Sequence, residues 1–137
     1  ITSSGGTWFV ELRNNIGYTR DVFIFDGLSL IDSTNADGFI ITGGSGSRLA
    51  IRKSVATTLT SLYTTTTDTV KIAIKWNGTS ADIFVNGTKV VSATSFTATT
   101  SLQFLKGNGA DVPKFIQQMA LYPSPLSDTD CTTITSL

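Results

Sequence analysis

Histidine is absent from the 137-residue chain, and glutamate, cysteine and methionine occur once each. Without imidazole, the Ser-His-Asp and Cys-His arrangements and every zinc motif built on histidine are excluded, and most hydrolase chemistry goes with them. A lone Cys131 excludes an intramolecular disulfide. Charge is scarce and balanced, with ten Lys and Arg against ten Asp and Glu. No basic run exceeds Arg52-Lys53, so the chain has no electrostatic footprint for nucleic acid or an anionic membrane surface. No apolar stretch approaches the ~18 residues of a membrane span, so membrane insertion is not expected. The opening residues Ile1 to Gly6 lack the charged and apolar regions of a signal peptide, and a mature or excised segment is expected.

What remains is β-forming sequence. Thr and Ser exceed a quarter of the residues, Gly punctuates them, and good helix formers are few. At this length one domain, spanning 1–137, can bury a self-sufficient core without disulfide or structural metal. Alternating or β-branched runs predict about nine short strands, at 7–13, 21–25, 38–42, 48–52, 69–76, 81–86, 89–92, 102–105 and 115–122. Asn86-Gly87 between two such runs is a strong hairpin signal, because both central turn positions need positive φ, and Asn77-Gly78 repeats it one hairpin earlier. Both begin Asn-Gly-Thr, which also matches a glycosylation acceptor. One short helix is predicted over 128–134: Ser127 caps it, Asp128 and Asp130 complement its positive end, and Leu126 and Cys131 hold the two positions of a hydrophobic staple. Cys131 is then a small buried hydrophobe.

Val70-Lys71-Ile72-Ala73-Ile74-Lys75-Trp76-Asn77-Gly78, followed by Ala81-Asp82-Ile83-Phe84-Val85-Asn86-Gly87, resembles the central hairpins of laminin-G-like domains in the concanavalin A-like lectin and glucanase superfamily. The closing Phe115-Ile116-Gln117-Gln118-Met119-Ala120-Leu121-Tyr122-Pro123, with Pro125-Leu126-Ser127-Asp128, resembles that family's last strand, Tyr-Pro turn and helix start. Gly6-Thr7-Trp8-Phe9-Val10-Glu11-Leu12 is similar to the early strand of the version found in bacteriophage tail and fibre proteins. The resemblance implies an all-β fold, a jelly-roll sandwich of two antiparallel sheets with one short C-terminal helix, and a carbohydrate site on the concave face or its rim. Two features depart from the pattern. Gln117-Gln118 stands where laminin-G domains often carry an acidic pair. Glu11 is the sole glutamate, against the Glu-x-Asp-x-x-Glu strand of the superfamily's glucanases.

Alternation sorts the side chains by face. Trp8, Val10, Leu12, Val70, Ile72, Ile74, Trp76, Ile83 and Val85 are predicted inward, while Phe9, Glu11, Arg13, Lys71, Ala73, Lys75, Asp82, Phe84 and Asn86 are predicted outward. A bulge in the last strand would turn Ile116, Met119 and Leu121 inward with Gln118 and Tyr122 outward. Outward aromatics among carboxylate, amide and guanidinium groups suit a pyranose, whose apolar face stacks on a ring while its hydroxyls take polar bonds. Arg13, Asp82, Phe84, Gln118 and Tyr122 are the candidate carbohydrate contacts. An ordinary alternative is that Phe9 and Phe84 are covered by a loop or another protein, and that Glu11 and Asp82 pair with Arg13, Lys71 or Lys75. Calcium is the metal most compatible with an oxygen-rich, histidine-free chain, and the superfamily often carries one. Asn108 and Asp111 could supply ligands, with the loop 32–37 as a second candidate, although neither has EF-hand spacing and both also read as plain turns.

The expected function is therefore a non-catalytic, lectin-like module for a polysaccharide or cell-surface glycan, part of a larger multidomain or fibre protein on a virion surface or secreted. The alternatives are a structural or assembly domain of a virion, and a glycoside hydrolase built on Glu11.

Overall fold

The computed structural model describes residues 4–13, 28–32, 38–42, 48–53, 56–61, 69–96, 102–106 and 116–137. Among these residues ten strands precede one helix: β1 (Gly6–Arg13), β2 (Leu28–Asp32), β3 (Gly38–Thr42), β4 (Arg48–Lys53), β5 (Ala56–Ser61), β6 (Thr69–Trp76), β7 (Ser80–Val85), β8 (Thr88–Ser95), β9 (Leu102–Lys106), β10 (Ile116–Tyr122) and α1 (Asp128–Thr135). They form two five-stranded antiparallel sheets, one ordered β10-β1-β6-β7-β8 and the other β5-β4-β3-β2-β9. Non-consecutive neighbours such as β1 with β6 and β10, and β2 with β9, make this a sandwich with long crossovers between sheets.

Eight of the nine predicted strands are present, and the ninth, at 21–25, lies outside the described residues. β2 and β5 are additional to the expected set. In β2 the Leu28/Leu30 alternation breaks at Ile31, and β5 is Thr-rich with the single large apolar residue Leu59, so neither carries a clear period of two.

Between the sheets lies the main core. Trp8, Val10 and Leu12 of β1, Val70, Ile72, Ile74 and Trp76 of β6, and Ile83 and Val85 of β7 are all buried there, as alternation predicts. Among the described side chains, Phe39 of β3 anchors this core from the opposite sheet, its ring centroid 5.4 Å from that of Trp76 and 4.4 Å from that of Phe96. Both tryptophans are core anchors. On the edge strand β10, Leu121 packs against this core. Ile116 and Met119 stand opposite Leu12 and Val10, as the expected bulge requires, yet both are exposed on β10, which among the described residues is an edge strand. Asn86-Gly87 forms the tight turn its sequence implies, with Asn86 at φ 46° and Gly87 at 78°; at Asn77-Gly78 only the glycine has positive φ, 86°, and the Asn77 amide donates to the Ser80 carbonyl at 3.1 Å across a wider connection of residues 77–79. At Gly87 a Cβ would also approach Ser136 Oγ at 3.2 Å, so this turn sits tightly under the chain's C-terminal end.

The other face of the first sheet is organised in transverse rows, since residues directly opposite each other across a ladder share a face. Tyr122, Thr7, Lys75 and Asp82 form one row; Ala120, Phe9, Ala73 and Phe84, ending at Lys89, form the next; Gln118, Glu11 and Lys71 begin the third. Asn86 completes that third row, accepting the Lys71 amide at 2.9 Å on its side-chain oxygen. The middle row is apolar and the flanking rows are polar. That pattern specifies a docking stripe, and α1 lies on it: Cys131, with Leu126 and Ile134, packs on Phe9, Ala73 and Phe84 to form a second, smaller core.

Polar contacts on both sides pin the helix. On the first row, the Leu126 amide donates to Thr7 Oγ1 at 2.9 Å and Lys75 pairs with Asp128. Near the third row, Lys71 Nζ donates to the Ser136 carbonyl at 2.8 Å and the Gly87 amide donates to Thr135 Oγ1 at 3.1 Å. Ser127 caps the helix, accepting the Asp130 amide at 3.1 Å while its hydroxyl donates to Asp130 Oδ2 at 2.6 Å. Eight residues are too few to hold a helix in water, so α1 exists through this docking.

Candidate functional site

A four-charge cluster stands at the helix N-terminus. Lys89 Nζ lies 3.0 Å from Asp82 Oδ2 and 3.0 Å from Asp128 Oδ2; Lys75 pairs with Asp128 and reaches Asp82 at 3.6 Å. Strands β6, β7 and β8 supply three of the charges and the first turn of α1 the fourth. Hydrogen bonds from Lys75, and next from Lys89, hold the Asp128 carboxyl below its ordinary value of 3.8. Hydrogen bonds to Asp128 and then Asp82 raise Lys89 above its ordinary 10.5. Both ammonium groups also hover over the Phe84 ring, at 5.8 and 5.6 Å from its centroid. Beside the cluster opens a cleft of about 100 Å³, lined by Lys75, Trp76, Asn77, Ser80, Asp82 and Pro125. It offers an ammonium, a carboxylate, an amide and a hydroxyl at one small opening, the donors and acceptors that polyhydroxyl ligands require.

The five residues expected at a carbohydrate site do not converge. Asp82 lies on the cleft. Phe84 shares its strand and face, yet is only 1% exposed, sealed beneath Cys131 and the two lysines, so it offers no ring for stacking. This corrects the expectation of an exposed aromatic: the covering element is the chain's own helix. Tyr122 is half-buried against the smaller core. It shares Asp82's row but stands three strands away, on the order of 14 Å. Gln118 is exposed on the edge strand opposite Glu11. Arg13 ends β1 opposite Thr69. The predicted set therefore divides between β7 and the β10–β1 edge, with β6 between them.

The carboxylate pair needed for glycoside hydrolysis is likewise not assembled from Glu11 and Asp82. β6 separates their strands, and their partners Lys71 and Lys75 are four residues apart along it. That places the two backbones on the order of 16 Å apart, with the row Phe9, Ala73 and Phe84 and the helix packed on it lying between them. Asp82 instead pairs with Lys75 and with Lys89, whose part had no local signal because the contact spans β7, β8 and the helix. Asn77, Ser80 and Asp128 are further cleft or cluster residues that local sequence presents only as hairpin-connection and helix-end features.

Asn108 and Asp111, the candidate calcium ligands, lie outside the described residues, as does 33–37 of the second loop. Among the described residues no group of three or more His, Cys, Asp or Glu is placed to hold a metal ion. Cys131 is buried, and that burial pushes its thiol above the ordinary 9.0. It is a core residue, as the staple predicts. No helix among the described residues is long and apolar enough to cross a membrane.

No protein-family model and no curated protein sequence matches the chain. Solved structures do. Domain 4 of AbnA, a GH43 extracellular arabinanase from Geobacillus stearothermophilus in complex with arabinotriose, superposes with a TM-score of 0.66 at 12% identity, covering 98% of this chain and 68% of that one. The CBM40 of Ruminococcus gnavus IT-sialidase bound to α2,3 sialyllactose gives a TM-score of 0.66 at 16% identity, covering 98% and 83%. The leech intramolecular trans-sialidase, complexed with 2,7-anhydro-Neu5Ac, gives 0.59 at 18% identity, where this chain spans 98% of itself but 24% of the enzyme. At these identities the likeness is one of fold, and it bears out the all-β sandwich with a short C-terminal helix that the sequence predicts.

Proposed function

We propose that this domain is a non-catalytic carbohydrate-binding module, a part of a larger extracellular protein that it tethers to a glycan. The observation that carries the reading is the whole-chain fold likeness to two domains solved with an oligosaccharide bound, arabinotriose in one and sialyllactose in the other. The cleft beside Asp82 supports it chemically. Asp82, Ser80 and Lys75 would bond sugar hydroxyls there, and Gln118, Arg13 and Tyr122 would form a second contact strip along the β10–β1 edge for a long polysaccharide. Phe84 takes no part. Affinity per site would be modest, and several copies on a parent fibre, virion or secreted enzyme would raise it. A calcium ion held by Asn108 and Asp111 belongs to this proposal.

Affinity electrophoresis of the domain through arabinan, sialylated glycans and bacterial polysaccharides tests the reading, with and without chelator. Retardation by one class supports it, and its loss with chelator supports the calcium. Ser80→Leu, which removes a cleft hydroxyl without touching the ion cluster, should weaken retardation roughly tenfold, the effect of a hydrogen bond of ordinary strength plus a filled cleft.

One observation favours a second reading, an assembly domain. Edge strand β10 carries no charge and exposes Ile116 (39%) and Met119 (45%), an edge without the lysine or proline that commonly blocks strand addition. On that reading the domain self-associates and ignores glycans. Sedimentation of the isolated domain separates the two.

A further inference from the structure

The two Asn-Gly-Thr turns are alike in sequence and opposite in chemistry. Asn77 is exposed at the β6–β7 turn, and four donors converge on its side-chain oxygen: the Thr79 amide at 3.2 Å, the Ser80 amide at 3.0 Å, and the hydroxyls of Thr79 and Ser80 at 3.1 and 3.2 Å. Asn86 is half-buried at the β7–β8 turn, its oxygen accepting the Lys71 amide at 2.9 Å. There the following amide, Gly87 N–H, donates to Thr135 Oγ1 at 3.1 Å, and Ser136 closes over the glycine.

We infer that Asn77 is a site of spontaneous backbone-assisted deamidation, a self-modification that converts this one turn to aspartate or isoaspartate while Asn86 is protected. A solvent base removes the Gly78 amide proton, and the nitrogen attacks Asn77 Cγ. The N–Cγ bond forms and negative charge collects on Oδ1, where the two amides and two hydroxyls already point; donors placed where charge develops lower such a barrier. Collapse breaks Cγ–Nδ2, the nitrogen takes a proton from water and leaves as ammonia, and a five-membered imide remains. One water opens either imide C–N bond, leaving an aspartyl or isoaspartyl residue in place of Asn77, with no oxidant or other co-reactant. At Asn86 the same attack must first take the Gly87 amide from Thr135 and twist a turn clamped under the helix end.

The product carries one added negative charge on the wall of the cleft that Lys75 and Asp82 line. Ageing at Asn77 therefore shifts the electrostatics of that cleft whatever ligand it takes, and the aged form separates by ion exchange.

The test is peptide mapping by mass spectrometry of the intact domain held near pH 8 and 37 °C, beside the same protein unfolded in urea. In urea both Asn-Gly bonds should age at comparable rates. In the folded domain Asn77 should age at least as fast as in urea and Asn86 roughly tenfold slower, the scale of a hydrogen bond that must be broken to expose the nucleophile. Thr79→Ala, which removes one donor from the cage, should slow Asn77 by roughly two- to tenfold while leaving Asn86 unchanged. Equal folded-state rates at the two sites, slower ageing of Asn77 on folding, or a Thr79→Ala rate equal to wild type would each overturn the inference.

Discussion

The first sheet buries side chains on both of its faces, and the two faces do so by different means. Its inner face presents Trp8, Val10, Leu12, Ile72, Ile74, Trp76 and Ile83 to a second sheet, an unbroken apolar surface. Its outer face has one apolar row, Phe9, Ala73 and Phe84, between two polar rows, and an eight-residue helix packs its apolar side chains on that row while polar contacts tie it to the rows on either side. Alternation in a strand states which side chains share a face. It does not state whether a face meets water, because that depends on an element more than 40 residues away in the chain.

Truncations on the two faces sharpen this contrast. Trp76→Ala removes a fully buried ring that touches Phe39 across the sheets, and should cost about 3–5 kcal/mol by urea denaturation. Phe84→Ala should cost about 3 kcal/mol, the low end of its class, since a short helix can settle into part of the space. A change within ~0.5 kcal/mol, the size usual for exposed positions, would mean that the outer row is wet.

Loss of the cap is the next effect in size. Ser127→Ala removes the acceptor for the Asp130 amide and should cost about 1 kcal/mol. Because α1 depends on its docking, hydrogen exchange should rise together in α1 and in the amide of Gly87, which donates to Thr135.

The charge cluster gives the smallest effect, and its sign follows from the shifts. Asp128 is held below 3.8, so its contribution is complete above that value and disappears as pH falls through the lower folded value. Lys89 is held above 10.5, so its contribution is complete below that value and is lost as pH rises through the higher folded value. Stability from the pair should be flat between these limits. Asp128 is 54% exposed, so Asp128→Asn should cost less than about 1 kcal/mol near neutrality, and its difference from wild type should vanish in acid. Urea midpoints against pH for the two proteins measure this.

Much of the fold was legible in local sequence. Period-two runs located most strands, Asn-Gly located both hairpin connections though only Asn86-Gly87 takes the two-residue turn, and Ser127 with the Leu126/Cys131 staple located the helix and its buried thiol. The bulge in β10 was legible too: the register slips between Glu11 and Leu12 and sets Met119 opposite Val10, while Gln118 stays opposite Glu11. Thr-rich β5 was not, because threonine satisfies strand geometry without marking a face. The candidate site was legible only at Asp82. Its partners come from β8 and from α1, and no local pattern announces Lys89 over Phe84 or Asp128 between two lysines. The same tertiary fact, a helix laid across an apolar row, turned Phe84 from an expected sugar platform into core.

The measurement closest to the central claim is affinity electrophoresis of wild type and Phe84→Leu side by side against arabinan, sialylated and bacterial polysaccharides. Under the proposed function, one polysaccharide class should retard both proteins equally, because glycan would be held at the cleft and sheet edge while Phe84 lies under the helix. No retardation by any polysaccharide would contradict the glycan-binding function, and retardation of wild type alone, with Phe84→Leu still folded, would contradict the placement of the site.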